Sequence, residues 1–586
     1  MKDSITDLLK RFAVKMMRPV IEEWPILTFY ILWVGWSSLL QNPFYRWFVI
    51  FLHAYLAATL VCLAKSKIAK GLVYLAAFTL FLIEAMLENC YGLAISPGTL
   101  LLLEETSARE AQEFLGALPL RPAFWLTVAT AIATASLAWW AERRRLAVAG
   151  MLRKAPAYRW LAWAAACLLA VGLAGSMCYV RLLQCDTTDE VSAWNLHMRY
   201  PSDAATRTVI ALFDLHLAGR ETERAIRQAE LVEATRITDT VNVILVIGES
   251  FIRQHAPLYG YPLNTTPFMR SEQERGRLFA FTDAVAPYNL TTLAVRQMMS
   301  CNSMADGESW ADKPPLAAIF KSAGFYVSMY DNQRTFSYAS TQTFALNNYL
   351  YHPKVQNSCY NETNKETFDL DGDLISHYRQ QERNEHPRRL SIFHLMGQHA
   401  QFNARYPSDD PRFNHFTSDS LAWRTETWMT NHKKAIIASY DNATLYNDYV
   451  TGQIIGLYDD ENTVAVYLSD HGEEVYDYRD NIGRSKGKDL SQLLDYQYGV
   501  PLVVWCSDRY RQKHPEVISL LRKAVNRPLT TDNTCQLLFH LAGLTKTPYY
   551  QPKRDVLSPD YECGRRIVND QYDYDVIVKK KKKMKL

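Results

Sequence analysis

The chain has little net charge. Its 64 lysine and arginine residues are nearly balanced by 61 aspartate and glutamate residues, which leaves a formal charge of +3 over 586 residues. A nucleic-acid-binding protein needs a strong basic excess, so this balance argues against that class of function. The length exceeds that of one ordinary domain and predicts a multidomain chain.

A signal-peptide cleavage site and zinc-finger cysteine spacing are also missing. No small-residue cleavage site follows the first apolar run, so that run is predicted to be a retained membrane anchor. No two cysteines in the exported part have zinc-finger spacing. They form an even set that is compatible with disulfide bonds or with buried free thiols: Cys185, Cys301, Cys359, Cys506, Cys535 and Cys563.

Long apolar runs dominate the first 182 residues. Each approaches the roughly 20 residues that cross about 30 Å of hydrocarbon, and tryptophans lie at several of the ends. A buried helix of a soluble core could explain any one run, but five in succession favour a membrane domain. The five predicted spans are Trp24 to Leu40, Trp47 to Ala64, Gly71 to Leu87, Ala123 to Trp140 and Trp160 to Val180.

Lysines and arginines predict the orientation of these spans. They are concentrated before the first span, between the second and third, and between the fourth and fifth, whereas the alternate loops contain few. Basic loops remain cytoplasmic. The N-terminus is therefore predicted to be cytoplasmic, and an odd number of crossings leaves the later part of the chain outside.

Composition divides the chain into four parts. Residues 1–182 form the predicted membrane domain, with an amphipathic helix near 98–118 that either lies on the outer bilayer surface or packs on the spans. Residues 183–238 are a polar linker, and residues 239–570 form a soluble domain. Residues 571–586 form a lysine-rich tail, which could attract anionic headgroups or simply be solvated.

The soluble domain contains buried-type strands separated by sequences compatible with helices. This order predicts an α/β fold with a mostly parallel sheet covered on both faces. The predicted strands are Val243 to Ile247, Phe325 to Tyr330, Leu390 to Met396, Thr463 to Leu468 and Pro501 to Trp505.

Ionisable residues follow three of these strands. Glu249 comes after the first, His399 after the third, and Asp470 and His471 after the fourth. Carboxylate and imidazole groups are ligands that Zn²⁺ accepts, and the carboxyl ends of parallel strands converge at one edge of a sheet. The set predicts a metal site. Taken alone, Glu249 could equally cap the next helix, and Asp-His-Gly also suits an ordinary turn.

A candidate nucleophile lies between the first two strands. Thr291 and Thr292 precede a helical pattern, and a hydroxyl at a helix N-terminus meets unpaired N–H groups that favour an alkoxide and a bound phosphoryl group. A simple N-cap is the alternative reading.

Several motifs in this order resemble those of the bacterial phosphoethanolamine transferases. The motifs are Val-Ile-Gly-Glu-Ser-Phe-Ile-Arg (246 to 253), Leu-Tyr-Gly-Tyr-Pro-Leu-Asn-Thr-Thr-Pro (258 to 267), the Thr292 segment, His-Leu-Met-Gly-Gln-His (394 to 399), Tyr-Asp-Asn-Ala-Thr-Leu-Tyr-Asn-Asp-Tyr (440 to 449) and Leu-Ser-Asp-His-Gly-Glu-Glu (468 to 474). That family joins a five-helix inner-membrane domain to a periplasmic domain of the alkaline phosphatase and sulfatase superfamily.

The resemblance implies roles for individual residues. Glu249, Thr292, Asp470 and His471 match the family's zinc site, with Thr292 as the nucleophile, and His399 matches a histidine near the transferred phosphate or a second zinc. A further histidine of the family is missing here, because residues 477–498 contain none. The resemblance therefore implies one Zn²⁺ site and leaves the second open.

The function implied is transfer of phosphoethanolamine from phosphatidylethanolamine to an envelope acceptor such as lipid A or lipopolysaccharide. The Thr292 hydroxyl would attack phosphorus, diacylglycerol would leave, and an acceptor oxygen would then attack the phosphothreonine. The expected location is the bacterial inner membrane, with the catalytic domain in the periplasm.

Other functions stay open. Sulfatase activity is disfavoured, because Thr292 takes the nucleophile position and Ala294 stands where that activity requires proline. A glycerol-phosphate transferase would share the threonine and the membrane helices. A non-catalytic membrane protein that binds or senses a ligand is the alternative from another class, although the ionisable cluster counts against it.

Overall fold

A computed structural model describes most of the chain. The described residues are 17–36, 47–91, 95, 99–100, 122–154, 167, 169–173, 182–188, 190–191, 203–233, 237, 239–334, 346–347, 349–380, 386–484, 488–569 and 572–578. The fifth predicted span, the amphipathic segment near 98–118 and the lysines from 579 on lie wholly or largely outside them. The chain divides into two compact units, with the boundary between Gly219 and Arg220.

Long apolar helices make up the first unit. The described helices are α1 (Trp24–Val34), α2 (Trp47–Ala64), α3 (Lys67–Tyr91) and α4 (Pro122–Lys154), and α5 (Ala204–Glu230) crosses the boundary between the units. Phe29, Trp33 and Phe81 belong to an apolar core between α1, α3 and α4.

The helix bounds differ from those of the predicted spans. The first was expected to reach Leu40, but α1 ends at Val34, because Gly35 caps the helix and a turn follows. The fourth was expected to end at Trp140, but α4 continues to Lys154 through alanine-, leucine- and arginine-rich sequence that favours helix. Among the described residues, Lys67–Cys90 and Pro122–Lys154 are long and apolar enough to cross a membrane, and Trp24–Val34 and Val49–Ala64 are shorter apolar helices.

The second unit alternates helices and strands. Its helices after α5 are α6 (Pro267–Glu274), α7 (Thr291–Met299), α8 (Leu316–Ser322), α9 (Pro353–Cys359), α10 (Asp371–Gln380), α11 (Asn431–Gly456), α12 (Leu490–Tyr498), α13 (Asp508–Lys513), α14 (Pro515–Ala524) and α15 (Thr534–Leu541). Its strands are β1 (Val241–Gly248), β2 (Leu278–Phe281), β3 (Ala284–Val285), β4 (Tyr326–Asp331), β5 (Glu362–Thr363), β6 (Arg388–His394), β7 (Thr463–Ser469), β8 (Leu502–Cys506), β9 (Leu529–Thr530), β10 (Ile567–Val568) and β11 (Tyr572–Asp573).

The main sheet of the described residues has seven strands in the order β2-β8-β7-β1-β6-β4-β5. All five predicted strands are confirmed in it, whereas β2 and β5 were missed because each is only two to four residues long. The sheet is mixed. β8 runs antiparallel to both β7 and β2, and its first residue, Leu502, pairs with Leu468 near the end of β7.

Helices cover both faces of this sheet. Every residue of β1 is buried. Its side chains alternate between two apolar cores: Val243, Leu245 and Ile247 lie in one, and Ile244 and Val246 lie in the other. This pattern explains why β1 is nearly uniformly apolar.

The cysteines of this unit are free thiols in the structure. Cys301, Cys359, Cys506 and Cys535 are buried, and Cys563 is half-buried. Burial raises the pKa of the Cys359 thiol to about 12, so it is protonated and packs as a small apolar group.

A buried histidine joins the segment after β1 to the segment after β7. His255 lies between two carboxylates, with Nδ1 at 2.7 Å from Asp441 on α11 and Nε2 at 2.8 Å from Asp477. The Tyr261 hydroxyl donates to the second Asp441 oxygen at 2.8 Å. Burial by itself lowers the pKa of His255, but the two carboxylates outweigh it and raise that pKa to about 9. His255 is therefore a charged, paired residue at neutral pH.

We expect Gly248→Ala to destabilise the second unit. A Cβ at position 248 would lie 2.2 Å from the Tyr467 hydroxyl, which donates to Asn447 at 2.7 Å. Displacing this ring should lower the free energy of unfolding by about 1–3 kcal/mol. Gly456→Ala is the matched control, since no atom lies within 4 Å of the added Cβ. Thermal unfolding of the full chain in detergent measures both, and an equal Tm for the two variants would contradict the packing argument.

We expect the stability from His255 to disappear at alkaline pH. Because its folded pKa is about 9 against an ordinary 6.5, its contribution of about 3 kcal/mol is fully present below pH 6.5 and is lost as pH rises through 9. His255→Gln should therefore lower Tm strongly at pH 6 and much less at pH 10. The exposed His432→Gln variant should change Tm little at either pH. The same Tm loss for His255→Gln at both pH values would refute a charged His255.

Candidate active site

Two neighbouring strands deliver ionisable groups to one edge of the sheet. β1 lies between β6 and β7, and Gly248 at its end pairs in register with Ser469 of β7. Glu249 and Asp470 follow these two residues directly. The ligand atoms of Glu249, Asp470 and His471 all lie within 4.8 Å of one another, and all three side chains are fully buried. The structure therefore brings together three of the predicted site residues.

The turn at Ser250 fixes this geometry. Ser250 has φ +55, a conformation that costs free energy for a residue with a side chain. Its N–H donates to Asp470 Oδ1 at 3.0 Å, and the N–H of His471 donates to the same oxygen at 2.7 Å. The Tyr440 hydroxyl donates to the Ser250 carbonyl at 2.6 Å. These bonds hold the strained turn against the end of β7.

The buried charges strongly influence one another. Burial disfavours a charge on Glu249, but His471 and the hydrogen bond from Ser250 outweigh it and hold its pKa at about 2. Burial and the charge of Glu249 raise the pKa of Asp470 well above its usual range. Burial lowers the pKa of His471 to about 3. The imidazole is thus neutral at pH 7, which is the form that binds a metal.

The donor set fits a divalent metal ion. Asp470 Oδ2 is buried with no hydrogen-bond partner among the described residues, and it lies 3.2 Å from His471 Nε2. His471 Nδ1 donates to the Gly472 carbonyl at 2.9 Å, so Nε2 carries the lone pair that can bind a metal. Two carboxylates and one imidazole are ligands that Zn²⁺ accepts, and three protein ligands leave a position for a reacting oxygen. A bound cation would also relieve the repulsion between the carboxylates.

Thr291, and not Thr292, is the threonine at this site. Thr291 Oγ1 donates to Glu249 Oε2 at 3.0 Å and lies 3.3 Å from His471 Nε2. No hydrogen bond among the described residues joins the Thr292 side chain to the triad. The sequence analysis chose Thr292 and expected both threonines to precede the helix, whereas α7 begins at Thr291 and it is the Thr291 hydroxyl that contacts Glu249 and His471.

His399 lies beside the triad but is not among its ligands. Gly397 has φ +45, and a Cβ there would lie 2.9 Å from the Glu249 nitrogen, so only glycine lets this loop come so close. The Gln398 N–H donates to the Glu249 carbonyl at 3.0 Å. His399 is half-buried, and its charge contributes to lowering the pKa of both Glu249 and His471.

Sequence reasoning missed several residues that contact the triad. Ser250 Oγ lies 2.6 Å from Glu249 Oε1 and 3.3 Å from Glu473 Oε2. Gln333 Nε2 donates to Glu249 Oε2 at 3.1 Å. Ser250 and Glu473 adjoin predicted ligands in the chain, which was an available signal, whereas nothing in the sequence marks the loop that carries Gln333.

Arg484 is the other missed residue. Its Nη1 donates to His471 Nε2 and, at 3.0 Å, to the Asn289 carbonyl, and its Nε lies 3.5 Å from Glu473 Oε2. It belongs to residues 477–498, which contain no histidine. A permanent positive charge therefore faces the triad from the segment in which a second metal ligand was expected.

Comparison with known proteins agrees with the fold. The sulfatase family profile matches residues 241–543. The phosphoethanolamine transferase EptC of Escherichia coli O18:K1:H7 is 27% identical over 344 residues, which cover 57% of this chain and 57% of that protein. The chain thus matches little more than half the length of this curated relative.

Two solved structures are also similar. The C-terminal periplasmic domain of EptC from Escherichia coli has 25% identity and a TM-score of 0.50, covering 59% of this chain and 97% of that domain. The integral membrane protein lipooligosaccharide phosphoethanolamine transferase A (EptA) from Neisseria meningitidis has 16% identity and a TM-score of 0.50, covering 92% of this chain and 97% of that one. The second likeness shows a shared fold. The family profile covers more than half of the 586 residues, and together with the fold it shows that the chain belongs to the sulfatase family.

Proposed function

We propose that the chain transfers phosphoethanolamine from phosphatidylethanolamine to a cell-envelope acceptor, lipid A or lipopolysaccharide. The observation that carries this proposal is the contact of the Thr291 hydroxyl with Glu249 and His471 at the N-terminus of α7. The similar proteins are named phosphoethanolamine transferases, and one is named for lipooligosaccharide. A hydroxyl placed among metal-type ligands is the arrangement that covalent phosphoryl transfer requires.

Glu249, Asp470 and His471 would hold one Zn²⁺ ion. When bound, the ion would supply positive charge that lowers the pKa of the Thr291 hydroxyl and attracts a phosphate oxygen. The neutral imidazole of His471 and the unpartnered Asp470 Oδ2 are suited to this role.

Thr291 begins the reaction as nucleophile. Glu249 accepts its hydrogen bond and can draw the proton away from the oxygen. The Thr291 oxygen forms a bond to phosphorus, the phosphorus–oxygen bond to glycerol breaks, and diacylglycerol leaves with a proton on its oxygen. N–H groups at the start of α7 would bind the phosphoryl oxygens. His399, beside the triad, would protonate the leaving oxygen or bind phosphate.

The second step releases the product. An acceptor hydroxyl or phosphate oxygen attacks phosphothreonine from the side that diacylglycerol vacated, and Thr291 regains its proton. Two successive displacements at one threonine predict ping-pong kinetics.

The proposed location follows from the membrane predictions. Residues 1–182 would cross the inner membrane five times with a cytoplasmic N-terminus, residues 183–238 would link the domains, and residues 239–570 would be the periplasmic catalytic domain. The described apolar helices and the likeness to an integral membrane protein support this arrangement. Anchoring would keep the site near a lipid donor and a lipid acceptor and so raise their effective concentration.

We expect Thr291→Ala to abolish covalent labelling of the chain by phosphatidylethanolamine carrying a labelled headgroup. Loss of the attacking oxygen should reduce diacylglycerol release by about a thousandfold or more. Thr292→Ala is the matched control and should keep most of the activity. Mass spectrometry should place phosphoethanolamine on Thr291. Labelling that survives in Thr291→Ala and disappears in Thr292→Ala would contradict the assignment.

We expect Glu249→Gln to remove the metal. The substitution deletes a charged ligand, so the purified full chain should lose most of the zinc that elemental analysis finds in the unaltered chain. Transfer should fall with it, and chelation followed by added Zn²⁺ should restore transfer only in the unaltered chain. The exposed Glu274→Gln variant is the control and should keep both. Zinc content unchanged in Glu249→Gln would disprove this ligand.

A further inference from the structure

A cavity of about 580 Å³ opens next to the triad in the second unit. Apolar side chains form much of its wall, including Phe402, Ile436 and Ile482. Among the described residues that line it, Glu473 provides the carboxylate and Arg484 the guanidinium. Apolar walls lower the local dielectric constant and so strengthen the interaction of a ligand with these two charges.

Glu473 has one carboxylate oxygen that can bind a cation. Its residue is 5% exposed, and its Oε2 is shared by the Ser250 hydroxyl at 3.3 Å and Arg484 Nε at 3.5 Å. The other oxygen, Oε1, is buried with no hydrogen-bond partner among the described residues. Such a buried acceptor costs free energy unless a ligand satisfies it.

The Arg484 guanidinium lies where it can bind an anion close to Thr291. Its Nη1 donates to His471 Nε2, the same atom that lies 3.3 Å from Thr291 Oγ1. Gly483 has φ +89, a left-handed conformation that turns the chain at this point. A phosphoryl group on Thr291 would lie next to this guanidinium, whose planar fork matches phosphate oxygens.

We propose that Arg484 and Glu473 form a binding site for a zwitterionic phosphoethanolamine headgroup, with the phosphate on Arg484 and the ammonium on Glu473. This inference rests on the proposed transfer reaction and adds the residues that select the headgroup. A glycerol headgroup carries no positive charge for Glu473 Oε1, so the pair favours ethanolamine over glycerol. Arg484 would also stabilise the negative charge on the phosphoryl oxygens during transfer.

Direct binding tests the site independently of turnover. Phosphoethanolamine and ethyl phosphate share the phosphate, and only the first carries an ammonium group. Calorimetry on the zinc-loaded full chain in detergent should show that phosphoethanolamine binds about tenfold to a hundredfold more tightly. Glu473→Gln should abolish this preference while ethyl phosphate binding and zinc content stay unchanged. Arg484→Ala should weaken both ligands, and Arg484→Lys should recover part of the loss.

Asp480→Asn is the matched control. It removes a carboxylate from the same segment, but Asp480 is exposed and pairs with Lys433 at 2.6 Å, outside the cavity lining. It should leave the preference intact. A Glu473→Gln chain that keeps the preference, or an Arg484→Ala chain that binds both ligands as before, would overturn the proposal. Intact headgroup preference without any transfer from phosphatidylethanolamine would sink the proposed function and leave this site standing.

Discussion

Two carboxylates and an imidazole are buried together at the ends of neighbouring strands, and the site depends on their mutual electrostatics. Glu249 and Asp470 cannot both stay ionised at close range without a positive partner. Asp470 Oδ2 has no partner among the described residues. A divalent cation would satisfy both carboxylates at once and would place a positive charge beside the Thr291 hydroxyl.

The scaffold holds the triad through rigid contacts that lie behind it. Tyr440 on α11 bonds both sides of the Ser250 turn, through the Ser250 carbonyl and the Ile252 N–H. His255, between Asp441 and Asp477, joins the same helix to the segment after β7. Asp371 accepts from the N–H groups of Met396 and Gly397, each at 2.9 Å, and thereby fixes the loop that carries His399. Each contact joins an element near one triad residue to an element near another. Together these contacts fix the geometry of the triad.

The cavity beside the triad places two opposite charges next to the candidate nucleophile. Thr291 lies at the metal ligands, Arg484 beside them, and Glu473 is linked to Glu249 through the Ser250 hydroxyl. A fold does not by itself determine the substrate, so one fold can serve many charged esters. Selection for one headgroup has to come from residues on the loops, and here the segment that carries Glu473 and Arg484 provides one charge of each sign.

Much of this protein could be predicted from its sequence, because local signals are strong where burial is complete. The uniformly apolar β1, the carboxylate after Gly248 and the Asp470–His471 pair predicted the core strands and the meeting of Glu249, Asp470 and His471 at one edge of the sheet, since strands buried on both faces leave their polar residues at the ends. Thr291 was seen but not chosen, because the first residue of a helix is uncertain by a position or two and one residue changes which hydroxyl faces the sheet. The antiparallel course of β8 and the roles of Gln333 and Arg484 depended on how distant loops return to one edge, and only the tertiary structure decided them. Contacts between residues far apart in the chain are set by packing and charge pairing, for which neighbouring residues carry no local signal.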